Sequence, residues 1–350
     1  MNALHGPGLL LVALVIGVGC GMAVPQETSV AQRKAVPVKS LKSMKGQAVV
    51  SYNVENLFDT KDDPTINDED FLPKGKLQWT DARYRQKLDH LAGAITWAGD
   101  GQPVIIGLAE VENATVLKDL IGTGPLKNAG YTIVHFDSPD ERGIDVALLV
   151  RSAYANVLHA GPLHVDLGSD RTRDVLYMEL QLAGGDTLRV FQNHWPSRGG
   201  GERVSAPKRM AAARVVCAKL DDLFTATPKA KVLIMGDFND YPDDVSIRNG
   251  LRVVCELSEK ADLFNLMCMD QPPNSGSYQY QGEWGWLDQM IVSRALLNGP
   301  GLTIGPASAC RDDRLFFKHP KYGPSPDKTY SGGHYKGGFS DHLPVVAKWR

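Results

Sequence analysis

The sequence has few cysteines, almost no net charge and no internal repeat. Its 350 residues include five cysteines and carry a formal net charge of -2. A near-neutral chain lacks the basic field that a tight, sequence-independent DNA binder needs, although a nuclease that releases its product remains compatible with it. No cysteine–histidine spacing typical of a zinc site occurs. The hydrophobic content of 43% and charged content of 22% are ordinary for a globular protein.

The amino-terminal region carries an apolar stretch, Leu9 to Val18, that is too short to span a bilayer comfortably. Small residues follow it, so we expect residues 1–23 to be an export signal that is cleaved after Ala23. The alternatives are a lipoprotein signal, in which Cys20 becomes the new amino terminus, and a short buried helix. Residues 24–47 are polar and basic and are expected to be a linker. The protein would then be periplasmic, attached to the cell surface or secreted, with a lipid anchor as its only membrane contact.

Export would place the remaining cysteines in an oxidising compartment, where disulfides persist. Cys255 and Cys268 are close enough in sequence to close a short loop. Cys217 lies on the apolar face of a predicted helix and is compatible with an ordinary core position. The sequence therefore leaves open whether the protein has one disulfide or none.

Several apolar runs predict strands. They are Val49–Tyr52, Val104–Leu108, Leu188–Phe191, Val232–Met235, Asp145–Val150 and Leu176–Leu180. We expect the last two to pair with each other. The length allows one large or two ordinary domains, and polar motifs that run from end to end favour one catalytic domain over residues 48–350, which we expect to be a monomer.

Two segments show apolar residues at helical spacing. One follows Thr80-Asp81, which predicts a helix start, and the other runs from Ala206 to Phe224. Strands mixed with covering helices, without regular alternation, indicate an α/β or α+β sandwich. The region from Pro300 to Gly338 is rich in glycine and proline, and we expect a long surface loop near the functional site.

Acid- and amide-rich motifs stand at the ends of apolar runs. They are Asn53-Val54-Glu55, Glu110, Asn193-His194, Asp237-Phe238-Asn239, Asp288 and Ser340-Asp341-His342. A sheet scaffold can gather such distant residues into one site. Carboxylates suit a hard divalent cation, so we expect Mg²⁺, with Mn²⁺ and Ca²⁺ as alternatives. Together with two histidines and two amides, they form a set suited to phosphate-ester hydrolysis.

At these motifs the chain resembles the endonuclease/exonuclease/phosphatase superfamily, which includes pancreatic-type DNases, abasic-site endonucleases, inositol polyphosphate phosphatases and bacterial sphingomyelinases. The matching strings follow the family's order and are Ser51–Leu57, Gly107–Glu112, Gly236–Asp240 and Phe339–Val345. The resemblance covers nearly all of residues 48–350. It implies a DNase-like α/β (α+β) four-layer sandwich, in which two packed mixed β-sheets are flanked by helices.

The resemblance also implies a metal site and a set of proton-transfer residues. Glu110 would hold the divalent ion, and the other members of the metal shell would be Glu55, Asn53 and Asp341. His342 is expected to be the general base, since a histidine titrates near neutral pH, with Asp288 behind it to orient the imidazole. Asp237 would orient or activate the water, and Asn239 would bind the phosphate.

His194 matches a second histidine of the DNase and sphingomyelinase branches, which would protonate the leaving group or stabilise the phosphate. Glu141 or Asp145 is expected to hold it in place. Arg198 follows closely and could bind a phosphate through two hydrogen bonds. The candidates for substrate binding are Arg198, Asn193 and Trp195.

These assignments predict a divalent-metal-dependent phosphoesterase that uses in-line attack of water on phosphorus, without a covalent intermediate. Nuclease activity is the first expectation, with nucleic acid as the partner. The alternative is a phosphatase or phospholipase C-type enzyme acting on inositol phosphates, sugar phosphates or sphingomyelin. An alternative of another class is a non-catalytic surface-binding protein that has kept the fold.

Overall fold

The computed structural model describes residues 39–269 and 271–350. The expected signal segment, residues 1–23, and most of the expected linker lie outside the described residues. Residues 39–47 pack on the domain, because Met44 is buried and the Lys39 amide donates to the Ala153 carbonyl at 2.8 Å. Within the described ranges, no helix is long and apolar enough to cross a membrane.

The described residues form five α-helices and eighteen strands. Helices α1 to α5 span Leu41–Met44, Asp81–Gly99, Ala114–Ile121, Glu202–Ala226 and Arg294–Asn298. Strands β1 to β9 span Ala48–Leu57, Ile105–Val111, Tyr131–His135, Asp145–Arg151, Ala155–Leu163, Val175–Leu182, Thr187–His194, Lys231–Asp237 and Leu263–Asn265. Strands β10 to β18 span Tyr278–Tyr280, Glu283–Gly285, Asp288–Ser293, Ile304–Ala309, Phe316–His319, Gly323–Pro326, Tyr330–Ser331, His334–Tyr335 and Val345–Trp349. Short 3₁₀-helices span Glu69–Phe71, Gly124–Leu126 and Asp313–Leu315, and a π-helical turn spans Ser246–Gly250.

Twelve of the strands form two six-stranded sheets. The first has the order β13-β18-β1-β2-β4-β3 and the second the order β5-β6-β7-β8-β12-β9. Each sheet has one parallel pair at its centre, β1 with β2 and β7 with β8, and its other pairs are antiparallel. The remaining six strands form three hairpins, β10-β11, β14-β15 and β16-β17. Both sheets are therefore mixed, as the sequence predicts.

The two sheets pack face to face and helices cover their outer faces. Gly107 in β2 lies so close to the second sheet that a Cβ atom there would be 2.0 Å from the Gln192 side-chain oxygen. Leu91 of α2 belongs to the core that includes the first sheet, whereas Val216 of α4 packs with Phe191 of the second sheet. The result is the predicted order of four layers: helix, sheet, sheet, helix.

Two predictions about particular segments are wrong. The segment 145–150 does not pair with 176–180, because β4 lies between β2 and β3 while β6 lies between β5 and β7 in the other sheet. Strands buried on both faces carry no local signal of their partner. The region 300–338 contains β13 and two hairpins, so its glycines and prolines mark turns between short strands.

One disulfide is present among the described residues. Cys255 and Cys268 are bonded, with Cα atoms 5.3 Å apart, a separation that is usual for a disulfide. Cys217 and Cys310 are half-buried and form no disulfide. The structure thus decides a question that the sequence left open.

Candidate active site

The parallel pairs at the centres of the two sheets bring the predicted motifs together. Carboxyl ends of parallel strands meet at one edge of a sheet, and here both sheets present that edge on the same side. His194 at the end of β7 is opposite Asp237 at the end of β8. Asp288 is the first residue of β12 and pairs with Asp237. In the first sheet, Asn53 is the last residue of the regular pairing between β1 and β2, and Glu110 is the last but one residue of β2.

The ends of β1 and β2 are irregular in a way that redirects their side chains. The register of this pair shifts between Asn53 and Leu57, and Glu55, Asn56 and Glu110 have φ values of 51°, 54° and 67°. Left-handed backbone is unusual for such residues, and bulges re-aim side chains near functional sites. The Asn56 amide donates to Glu110 Oε2 at 2.9 Å, which fixes the carboxylate of Glu110.

Asn53 connects the two sheets at the centre of the site. Its Nδ2 donates to Asp237 Oδ2 at 3.0 Å and to Glu110 Oε1 at 3.4 Å. Its Oδ1 accepts from the Glu55 amide at 3.0 Å. Asn53 and Asp237 are buried, so this contact between the sheets is shielded from water. Asn53 therefore fixes the distance between one carboxylate of each sheet.

The predicted pair of His342 and Asp288 is formed. His342 Nδ1 lies 2.6 Å from Asp288 Oδ2, and both side chains are buried. Burial by itself would lower the pKa of His342, but the charges of Asp288, Asp237 and Asp341 outweigh it and raise this pKa well above its ordinary value. These charges therefore favour the protonated imidazole. A general base needs a neutral imidazole, so this geometry does not favour the base role expected for His342.

Asp237 is better suited to accept a proton. Burial raises its pKa to about 7, against the lowering effects of His342 and of hydrogen bonds from Asn239 and Asn53. The Asn239 amide donates to Asp237 Oδ1 at 2.9 Å, and His342 Nε2 lies 3.9 Å from Oδ2. A general base works best when its pKa is near the operating pH. Asp237 has that property in this arrangement.

His194 differs from His342 in its charge state. Its Nε2 lies 3.7 Å from Glu110 Oε1 and 3.7 Å from Asp237 Oδ2. Burial and the cations Arg173 and Arg142 lower its pKa well below the ordinary value, which favours the neutral ring. A neutral ring is a weak acid for a leaving group. It can still donate one hydrogen bond.

The residue that holds the end of β7 is not the one expected from the sequence. Asp145 is paired with His135, whose Nε2 lies 2.9 Å from Asp145 Oδ2. Buried Arg173 instead donates from Nε to the His194 carbonyl at 3.2 Å and from Nη2 to the Trp195 carbonyl at 2.6 Å. Its own charge is paired with Asp140 at 2.9 Å. Arg173 therefore fixes the backbone around His194.

Asn193 and Trp195, predicted to bind substrate, are buried. The Trp195 indole donates to Asn193 Oδ1 at 3.0 Å, and Asn193 Nδ2 donates to the Met235 carbonyl at 3.1 Å. Asn239 Nδ2 donates to the Trp195 carbonyl at 3.0 Å. These contacts use the polar atoms of Asn193 and Trp195 within the protein. Their placement supports a role in positioning His194 and Asn239 rather than contact with a substrate.

Arg198, the third predicted substrate ligand, is surrounded by carboxylates. It lies 3.1 Å from Asp240, 3.0 Å from Asp244 and 2.6 Å from Glu202. Its guanidinium also lies 5.0 Å from the centre of the Tyr241 ring. A phosphate would have to compete with three carboxylates for this side chain. Arg198 is therefore neutralised by its surroundings and is a weaker phosphate ligand than the sequence suggests.

The remaining expected metal ligands fit a hard cation. Glu110 and Asp341 retain exposed carboxylate surface, with side chains 14% and 32% exposed, and Asn53 lies within hydrogen-bonding distance of both Glu110 and Asp237. This donor set consists of oxygen atoms and carries excess negative charge, as magnesium sites do. Asp237 and Asp288 form, with His342, one of the described clusters whose ligand atoms are close enough to hold an ion.

Glu55 is the expected metal ligand that fits least well. Its Oε2 accepts from the Thr329 amide at 2.6 Å and its Oε1 accepts from the Tyr330 amide at 3.2 Å. Burial and the charge of Asp341 raise the pKa of Glu55 to about 7, while Lys87 opposes the shift. Both carboxylate oxygens are thus used to hold a loop. The sequence patterns did not identify Lys87. The only sign of it in the sequence is that a lysine stands among the apolar residues on the buried face of α2.

Comparisons with known proteins agree with this fold. A model of the Endonuclease/Exonuclease/phosphatase family matches residues 48–350. The fold is similar to humanized D. rerio TDP2, with a TM-score of 0.55 and 15% identity over 87% of this chain and 98% of that chain. An endonuclease/exonuclease/phosphatase family protein from Bacteroides thetaiotaomicron gives a TM-score of 0.56 and 18% identity, covering 87% and 97% of the two chains. A mannosyl-6-phosphatase from Bacteroides thetaiotaomicron VPI-5482 gives a TM-score of 0.54 and 17% identity over 87% of this chain and 99% of that chain. No curated protein is a significant match.

Proposed function

Since this chain belongs to the endonuclease/exonuclease/phosphatase family and is a hydrolase of phosphate esters, we propose that its substrate is a phosphodiester of a nucleic acid. Similarity at 15–18% identity supports the fold and not a substrate. The substrate is therefore argued from the surface next to the site. That surface is aromatic.

Three tyrosines form what we call the tyrosine ledge: Tyr278, Tyr280 and Tyr241. The Tyr278 ring lies 4.9 Å from the His342 ring, centre to centre, and the two residues form an isolated β-bridge. Tyr280 is 63% exposed and Tyr241 is 39% exposed. Tyr241 packs on Gly285 of the neighbouring hairpin strand, where a Cβ atom would lie 2.3 Å from its ring. The ledge thus runs from the reaction centre to solvent.

Such a ledge suits a nucleobase. Each base of a single strand presents a flat π-face, and stacking on an aromatic side chain contributes about 1–3 kcal/mol per base. A base attached to the nucleotide beside the scissile phosphate would lie next to His342, where Tyr278 stands. The ledge beside His342 is the observation that carries the proposal. One solved relative is a TDP2 in complex with a single-strand DNA product, at 14% identity.

We propose that water attacks phosphorus in line with the leaving ester oxygen. A new P–O bond forms as the ester P–O bond breaks, Asp237 takes the proton of the water, and the leaving oxygen takes a proton from solvent. His342, held protonated by Asp288, donates a hydrogen bond to a phosphoryl oxygen and offsets the charge that develops there. His194 supplies a neutral N–H donor. A divalent cation held by Glu110 and Asp341 would supply Lewis-acid stabilisation of the phosphate.

The first test is hydrolysis of a labelled single-stranded oligonucleotide, plasmid DNA, mannose 6-phosphate, inositol phosphates, sphingomyelin and bis-p-nitrophenyl phosphate. Each is incubated with Mg²⁺, Mn²⁺, Ca²⁺ or EDTA. We expect metal-dependent cleavage of the oligonucleotide, lost in His342→Ala. Intact nucleic acid with hydrolysis of a sugar or inositol phosphate would favour the phosphatase alternative. Unchanged binding without turnover, in the protein and in the variant alike, would identify a surface-binding protein.

The ledge is tested separately with Tyr280→Ala. We expect KM for the oligonucleotide to rise by about 5- to 100-fold, from the loss of one stacking contact, while cleavage of bis-p-nitrophenyl phosphate stays unchanged. Leu158→Ala, which removes an exposed apolar side chain from the edge strand β5, is the matched control. An equal effect of Tyr280→Ala on both substrates would contradict the base-stacking role.

A further inference from the structure

Lys87 is a buried cation on the face of α2 that covers the first sheet. It is 1% exposed, and its neighbours on this helix face include Tyr84, Leu88 and Leu91. Removing an ammonium group from water costs several kcal/mol unless hydrogen bonds replace the lost hydration. The position of Lys87 among apolar residues therefore requires specific partners.

Those partners lie in the segment that leads to His342. Lys87 Nζ donates to Thr329 Oγ1 at 2.5 Å and to the Phe339 carbonyl at 2.5 Å. Thr329 is itself buried, and its backbone amide donates to Glu55 Oε2 at 2.6 Å. One residue of the segment is thus held through its hydroxyl by the helix and through its amide by β1.

The segment between these two contacts is closed on itself. The amides of Lys336 and Gly337 donate to the Thr329 carbonyl at 2.8 and 3.3 Å, and the Phe339 amide donates to the Asp327 carbonyl at 2.5 Å. Lys87 binds both ends of this closed segment, at Thr329 and at Phe339. A cation at this point therefore ties the whole segment to α2, whose position is fixed by its packing on the sheet.

Phe339 immediately precedes Ser340, which sets the position of the catalytic histidine. Ser340 Oγ donates to the Asn53 carbonyl at 2.7 Å and accepts from the His342 amide at 3.1 Å. A chain of contacts thus runs from Lys87 through Phe339 and Ser340 to His342. The Lys87–Phe339 and Ser340–Asn53 contacts join residues 252 and 287 positions apart, and all three contacts are buried or partly buried.

We propose that Lys87 is a positioning residue, which holds residues 329–340 so that Ser340, Asp341 and His342 stay in register with Asn53. Glu55 is its counterpart on the opposite side of Thr329 and acts through backbone amides. The hydrogen bonds of Lys87 go to Thr329 and Phe339 and to neither Glu110 nor Asp341, although its charge interacts with both carboxylates. The proposal applies to any phosphate-ester substrate and does not depend on the nucleic-acid assignment.

The test uses Lys87→Met, which keeps the length of the side chain and removes its charge. With bis-p-nitrophenyl phosphate and saturating Mn²⁺, we expect kcat to fall by about 10- to 100-fold, as for a small displacement of a catalytic group, with KM changed less than about threefold. Hydrogen exchange followed by mass spectrometry should show that amides 329–340 exchange about tenfold faster, while the central strands keep their protection. Exchange needs neither substrate nor metal.

The matched control is Lys231→Met. Lys231 is also buried and bonded, to Asp186 at 2.6 Å and to the carbonyls of Pro300 and Leu302 at 2.7 and 2.8 Å. It stands at the start of β8, six residues from Asp237 at its end and thus roughly 20 Å from the site. We expect Lys231→Met to lower the melting temperature and leave kcat unchanged.

Thr329→Val removes only the hydroxyl that Lys87 contacts and serves if Lys87→Met does not fold. It should lower kcat and speed exchange of the same segment. The double variant should be no worse than Lys87→Met, because Lys87→Met already breaks the contact that Thr329→Val removes. Unchanged kcat in both variants would overturn the proposal. A lower kcat with normal exchange of residues 329–340 would also overturn it, as would an equal loss of kcat in Lys231→Met.

Discussion

Replacing Asp288 by Asn tests the assignment of charge in the site most directly. Asp288 Oδ2 lies 2.6 Å from His342 Nδ1, and the carboxylate is completely buried. Two unit charges about 4 Å apart interact by about 4 kcal/mol at an effective dielectric constant of 20. The Asn side chain keeps the shape of Asp288 and removes its attraction for the charged imidazole of His342. Because the charge of Asp288 is the largest contribution that raises the pKa of His342, this pKa should fall in the variant.

The expected loss of rate follows from the same energy. If the protonated form of His342 stabilises the transition state, about 3–4 kcal/mol corresponds to a fall of about 10²- to 10³-fold in kcat. The direction of the effect is read from the dependence of kcat on pH. Activity requires ionised Asp237, with a pKa of about 7, and protonated His342, so it rises through the first pKa and falls through the second. Asp288→Asn should move the alkaline limb to lower pH.

The assay combines kcat against pH with an NMR titration of His342 in EDTA. If the acid limb moved to lower pH instead, while the alkaline limb stayed, His342 would be the general base as first expected from the sequence, and our reassignment to Asp237 would be wrong. Asp145→Asn is the control, because Asp145 forms a similar pair with His135 at 2.9 Å outside the site. It should leave the pH profile of kcat unchanged.

Two further predictions concern stability. Burial raises the pKa of Glu112 from 4.5 to about 7, so the folded state is favoured by protonation and loses stability as the pH rises from 4.5 to 7. Glu112→Gln should therefore stabilise the protein by about 1–2 kcal/mol at pH 8, after allowing for solvent screening, and by little at pH 4. The free energy of unfolding is measured by urea denaturation at both pH values. An equal change in this free energy at pH 4 and pH 8 would contradict the prediction. The Cys255–Cys268 disulfide closes a loop of 13 residues, so replacing both cysteines by Ser should cost about 3 kcal/mol by loop entropy. The same double variant should be insensitive to dithiothreitol, which should destabilise the unaltered protein.

The sequence by itself determined the family and most of the reaction centre. Strand-end motifs are local patterns, so Glu110, Asp237 and the Ser340-Asp341-His342 string could be recognised without a structure. Glu110 and Asp237 stand near the carboxyl ends of strands in the two central parallel pairs. The Ser340-Asp341-His342 string precedes β18, which is antiparallel to β1 and therefore begins at the same edge. The pairing of His342 with Asp288 was also expected, because both belong to motifs whose order along the chain matches the family.

Only the tertiary structure decided which groups are charged and what each one touches. The raised pKa of His342 and the lowered pKa of His194 depend on burial and on cations and anions supplied by other elements. The contact of Lys87 with Phe339 joins residues 252 positions apart, and no local pattern encodes it. The same holds for Arg198, whose three carboxylate partners come together only through folding. Local patterns specify residue types and strand ends, whereas electrostatics depends on distances across the whole chain.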